Sequence, residues 1–162
     1  MRRVQHKGQG KDKDKLALKT LSTGFFGGLI WGSVAAIAGF LNFTSVTPKS
    51  FFLRSWLVVE WTDKWIGEVI SILLLGIVSI IWAFIYYAVL KKFEGVFPGV
   101  VTGVVLWFIV FGLLQALFHN IKPFYQLDSD TILTTVCLFV LYSVFVGYSI
   151  SFAYHQHINE KN

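Results

Sequence analysis

The sequence predicts an all-α membrane protein: four transmembrane helices with short connections and a membrane-surface outer loop. Three observations carry this reading. Four apolar runs are long enough to span a bilayer, the composition is 55% hydrophobic and only 14% charged, and positive charge is crowded at one end of the chain. A hydrocarbon core about 30 Å thick takes roughly 20 helical residues at about 1.5 Å each. The runs at 21–43, 67–90, 99–118 and 131–152 meet that length. None carries the polar stripe, repeating about every 3.6 residues, of a soluble amphipathic helix. None alternates in polarity over about ten residues, as membrane strands do. One such run fits a buried soluble helix, but four in succession leave a soluble chain too little polar surface.

Residues 1–20 read as a basic cytoplasmic tail. Arg2, Arg3, Lys7, Lys11, Lys13, Lys15 and Lys19 face only Asp12 and Asp14 in sequence, a pattern that suits a bilayer with anionic headgroups. Nucleic acid is not the expected partner, because the tail lacks the interleaved aromatics that stack on bases and runs directly into apolar sequence. A basic start, an apolar run and Ala36-Ile37-Ala38 also imitate a cleavable secretory signal. The run continues through Phe40, Leu41 and Phe43 to a full spanning length, so an uncleaved helix is the expectation.

The first span, within TGFFGGLIWGSVAAIAG, is dense in glycine. The chain has neither a Walker loop nor a strand–turn–helix dinucleotide fingerprint, so these glycines cradle no phosphate and no cofactor is indicated. Gly24, Gly28, Gly32 and Ala36 instead repeat every four residues along one helical ridge, which lets another backbone approach closely. Shorter versions occur as Gly99 and Gly103 in the third span, and as Ser143, Gly147 and Ser151 in the fourth. These nine residues are the helix-packing candidates, within one chain or between copies; the alternative is that glycine is simply common in membrane helices.

The loop 44–66 reads as lying on the membrane surface. Trp56, Trp61 and Trp65 are its interfacial anchors, since an indole favours the headgroup region, where its ring is half-buried and its N–H is wet. The second span then leads through a polar turn at Lys91, Lys92 and Glu94 to Pro98, which a helix accepts in its first turn. Spans two and three are therefore expected to form a tight hairpin. Asp128 and Asp130 precede the fourth span, where carboxylates cap free N–H groups and favour the positive end of the helix dipole. Residues 153–162 form a second cytoplasmic tail.

Lysine and arginine orient the bundle. With the amino terminus inside, ten fall on the inner side and four, Lys49, Arg54, Lys64 and Lys122, on the outer. The imbalance predicts a multi-pass protein of the bacterial plasma membrane with both termini cytoplasmic. No Asp, Glu, Lys, Arg or His stands near the middle of a span, whereas proton relays and ion-coupled carriers usually place one there. Glu60, Asp63, Glu68, His119, Asp128 and Asp130 near the outer face, and His155 with His157 inside, lack any diagnostic metal or catalytic spacing. Cys137 is the only cysteine, so neither an intrachain disulfide nor a cysteine-based metal site is available. No catalytic, metal or cofactor residue is assigned.

The segment LYSVFVGYSISFAYHQH at 141–157, with the basic tail, four spans, Pro48-Lys49-Ser50-Phe51 and Asp130-Thr131-Ile132, resembles the YqhR family of small membrane proteins from endospore-forming bacilli. The resemblance implies topology and a bacterial membrane, and supplies no functional residue. The expected role is a structural or interaction component, an accessory that pairs with another membrane protein or with copies of itself. The alternative is an oligomeric channel or carrier for an unknown solute.

Overall fold

The computed structural model describes residues 2–51, 65–90, 93, 95–113 and 126–159. Among them every element of regular structure is a helix, with three helices long and apolar enough to cross a membrane and one shorter apolar helix. The first, α1, runs Arg2–Phe40, followed by the single turn α2, Pro48–Phe51. Then come α3, Trp65–Leu90; α4, Phe97–Phe108, continuing as a π-helical turn over Ile109–Leu113; and α5, Ser129–Asn159.

Helical structure extends beyond the apolar runs at both ends of the chain. The stretch read as a tail is continuous with α1, because Lys, Arg, Gln and Ala cost little in a helix. Packing also starts before Leu21, since Leu16 and Thr20 are both buried and the Thr20 hydroxyl donates to the Leu16 carbonyl at 2.9 Å. At the other end α5 absorbs 153–159. Composition marks where an apolar core can begin, but a backbone already in hydrogen-bonded register does not stop there.

What stops α1 is local. Asn42 takes a left-handed conformation at φ 59°, which asparagine tolerates better than most residues. The Phe43 N–H then bonds the Ala38 carbonyl at 2.9 Å, and the Asn42 N–H bonds that of Gly39 at 3.1 Å. These two bonds satisfy terminal carbonyls in a Schellman arrangement. Thr47-Pro48-Lys49-Ser50 starts α2: the Thr47 N–H donates to Ser50 Oγ at 2.9 Å and the Ser50 N–H to Thr47 Oγ1 at 3.4 Å, with proline in the first turn. Gly95, at φ 102°, makes the turn into α4.

The most extensive contacts are α1 on α3 and α4 on α5, and α5 also packs on α1 and α3. The expected hairpin of spans two and three is close in sequence, but α4 sets its glycine face on α5 and makes no extensive contact with α3. Lys91, Lys92 and Glu94 lie outside the described residues.

One serine joins three helices. Ser79 Oγ on α3 donates to the Gly24 carbonyl of α1 at 2.6 Å and lies 2.5 Å from the Tyr142 hydroxyl of α5. The serine has one proton and a carbonyl can only accept, so Tyr142 is the donor to Ser79. Each bond is worth about 0.6 to 2 kcal/mol in a membrane interior. Ser79→Ala takes the hydroxyl from the Gly24 carbonyl and leaves Tyr142 only the long bond to the residue-79 carbonyl at 3.5 Å, whereas Tyr142→Phe removes a donor and leaves Ser79 bonded to Gly24. We expect Ser79→Ala to lower the melting temperature in detergent more than Tyr142→Phe, and the double variant to fall short of the sum. Strict additivity of the two changes would show that the bonds are not coupled.

Candidate functional site

With no charged cluster at the bundle centre among the described residues, the site is built from helix contacts and the space they leave. On α1, Gly24, Gly28 and Gly32 all face α3. A β-carbon at Gly28 would stand 2.6 Å from Ser79 Cβ and 2.7 Å from Gly76 Cα, closer than carbon atoms approach. At Gly24 it would meet Ala83 Cβ at 2.7 Å, and at Gly32 the end of the Leu75 side chain at 2.9 Å. The contact is therefore least forgiving at Gly28, where backbone meets backbone, and most forgiving at Gly32, where a flexible leucine can move. Ala36, one turn on, is half-buried.

The second pair of helices meets in the same way. Gly103 would place a β-carbon 2.6 Å from Val140 Cα, and Gly99 one 2.7 Å from Val144 Cα, so α4 lies backbone to backbone on α5. Gly147 makes room for an aromatic ring, since a β-carbon there would fall 2.5 Å from Tyr86. Ser151 donates to the Phe93 carbonyl at 2.6 Å, tying α5 to the turn before α4. Ser143 is fully buried, and its hydroxyl has no hydrogen-bond partner among the described residues.

Several polar contacts leave no mark in the sequence. Trp107 Nε1 donates to Thr135 Oγ1 at 3.0 Å, and Thr135 in turn donates to the Thr131 carbonyl of its own helix at 2.7 Å. Trp107 also stacks on Phe111 with ring centroids 5.2 Å apart. Buried Thr131 accepts the Ser45 N–H at 3.0 Å, which fastens the segment after α1 to the start of α5. For α3 the sequence does hold a signal: Gly67, Ser71, Gly76, Ser79 and Ala83 are small and buried together. Their spacing is irregular, so the ridge is less visible than the regular one on α1.

Between the pairs lies a half-enclosed cavity of about 360 Å³ whose wall is almost entirely carbon. Trp31 and Ala35 of α1, Val78 and Trp82 of α3, Val110 of the π-helical turn and Leu138 of α5 line it, and Val46, Thr47 and Pro48 lie at one end. The Ser79 and Tyr142 side chains also border it, but their hydroxyls are engaged with each other.

The remaining sequence candidates are dispersed. Trp65 stands 75% exposed at the start of α3, while Trp56 and Trp61 lie outside the described residues, as do Glu60, Asp63 and His119. Glu68 is half-buried beside the backbone N–H of Lys49. Asp128 and Asp130 are exposed at the start of α5, where the Asp128 carbonyl accepts the Ile132 N–H at 3.0 Å. Among the described residues no group of three or more His, Cys, Asp or Glu side chains is placed to hold a metal ion.

An all-helical chain of this kind has counterparts among known proteins. The family model described as "Conserved membrane protein YqhR" matches residues 2–162. The chain is 41% identical over 146 residues to "Uncharacterized protein YqhR" of Bacillus subtilis (strain 168), covering 90% of this chain and 82% of the relative. No solved structure matches. The chain belongs to the YqhR family of membrane proteins.

The glycine geometry yields an expected order of tolerance. Gly28→Leu should lower the detergent melting temperature clearly, because it forces α1 and α3 apart at their closest approach. Ile30→Leu, at an exposed position, should change it little. Size in detergent, measured alongside, separates a contact within the chain from one between copies. Equal melting and equal size for Gly28→Leu and the parent would make the ridge incidental.

Proposed function

We propose that this YqhR-family protein is a four-span protein of the bacterial plasma membrane, with both termini in the cytoplasm, working there as a non-catalytic interaction or accessory component. The carrying observation is the use of interior polar groups for helix attachment: Ser79 to Gly24 and Tyr142, Trp107 to Thr135, and Ser151 to Phe93. Chemistry committed to holding helices together favours a scaffold over a reaction centre. Large apolar side chains such as Phe26, Ile77, Ile81 and Leu133 face outward, supplying a surface for lipid or for another membrane helix.

The third span in this reading is Phe97–Leu113 together with the apolar residues that follow it in sequence. Its 17 described residues give about 25 Å of rise, most of a hydrocarbon core about 30 Å thick. The basic part of α1 then lies at the cytoplasmic headgroups, where each Lys or Arg near an anionic surface contributes about 1 kcal/mol.

Topology is tested with single cysteines in a Cys137→Ser background. A membrane-impermeant thiol reagent applied to intact cells should label Ser50→Cys but neither Gln5→Cys nor Asn159→Cys; labelling at either terminus in sealed cells overturns the orientation. The role is tested by crosslinking in native membranes, where the same protein partner, or a second copy, should be recovered repeatedly. Ion or solute flux through the purified protein in liposomes would replace this reading with a channel or carrier.

A further inference from the structure

The helices α3 and α4 follow one another in sequence yet make no extensive contact, and the cavity occupies the space between them. Its wall runs from Ala35 to Gly28 on α1, from Leu75 to Trp82 on α3 and from Thr135 to Tyr142 on α5. Each of these is a step of seven residues, about 10 Å of helix rise. Thr47 and Pro48 border the cavity at the end where α1 has finished, and the polar side chains of Thr44, Ser45 and Ser50 cluster in the same segment. The mutually bonded Ser79 and Tyr142 also border the cavity. A carbon-lined slot that runs about 10 Å along the helices covers most of one leaflet of a hydrocarbon core about 30 Å thick.

From this geometry we infer that the cavity holds one acyl chain of an outer-leaflet phospholipid, with the chain along the wall and the headgroup at the Thr44–Ser50 rim. The wall offers a bound molecule no charged group and almost no polar atom, so selectivity is for hydrocarbon. A chain laid along this length of wall leaves the polar end of an amphiphile at the end of the slot bordered by Thr47 and Pro48. A second helix does not fit this space, because its diameter with side chains is about 10 to 12 Å and the slot is half-enclosed by the helices around it. The inference rests on the bilayer orientation proposed above.

The full chain purified in mild detergent should show one phospholipid adduct by native mass spectrometry. Ala35→Phe, which fills the cavity, should lose that adduct, while Ile81→Phe, on the outward face, should keep it. A parent without the adduct, or equal retention by the two variants, overturns the inference. The unsubstituted protein supplies an independent measurement if Ala35→Phe fails to fold. In vesicles of phosphatidylglycerol and phosphatidylethanolamine doped with a mid-chain diazirine phospholipid, labelling at Val110 and Leu138 should saturate at low probe fraction. Labelling at Ile77 and Leu133 should rise in proportion to the probe. Proportional labelling at all four sites rejects a bound chain while leaving the bilayer placement intact, whereas no labelling at Ile77 or Leu133 rejects the placement itself.

Discussion

Lipid tails are as apolar as leucine, so burying a leucine between two membrane helices removes nothing from water. Attachment has to come from contacts that lipid cannot match: backbones close enough for dense dispersion contact, and hydrogen bonds between groups that hydrocarbon leaves unpaired. In this chain the two coincide at Gly28, Gly76 and Ser79. The absence of side chains at the glycines brings α1 close to α3, and at that distance Ser79 reaches the Gly24 carbonyl while still accepting from Tyr142. Remove the close approach and the bonds lengthen; remove the bonds and the approach has less to hold it.

The same constraint explains why α5 is central. It offers a small residue or hydroxyl to each neighbour in turn: Thr131 to the segment after α1, Thr135 to Trp107, Tyr142 to Ser79, Gly147 to Tyr86 and Ser151 to Phe93. Its outward side carries Leu133, Leu141, Tyr148 and Phe152 instead. The buried side mixes the hydroxyls of Thr131, Thr135, Ser143 and Ser151 with the apolar side chains of Val146 and Ile150, so it forms no continuous polar stripe. Hydropathy therefore marks α5 as a membrane helix without marking which face meets protein.

This sets what was legible in the sequence. Length and hydropathy of the apolar runs point to membrane helices because the bilayer imposes a fixed length. The four-residue repeat of Gly24, Gly28 and Gly32 points to one face because regular spacing is visible without a partner. The partner face on α3 is harder to see, since Gly67, Ser71, Gly76, Ser79 and Ala83 are spaced unevenly around the same stripe. Pairing of α4 with α5 could not be read from the turn. A short connection fixes two helix ends near each other, whereas Gly99 and Gly103 decide which backbone lies alongside. Nor could the cavity, whose lining brings Trp31 and Trp82 together with residues of α4 and α5.

A cavity of this size is informative because of its cost. In a soluble core, an empty apolar void of about 360 Å³ would cost on the order of 9 kcal/mol at about 24 cal/mol per Å³. That is comparable with the entire stability of a typical domain, about 5 to 15 kcal/mol, and a soluble fold would close it. A bilayer changes the comparison, because the solvent is itself hydrocarbon and can enter a half-enclosed slot, restoring contacts to the wall. The helices are then free to pair where small residues favour it, α1 with α3 and α4 with α5, without meeting everywhere between the pairs. The close backbone contacts are concentrated at the glycines, and the space between the two helix pairs is left open to hydrocarbon.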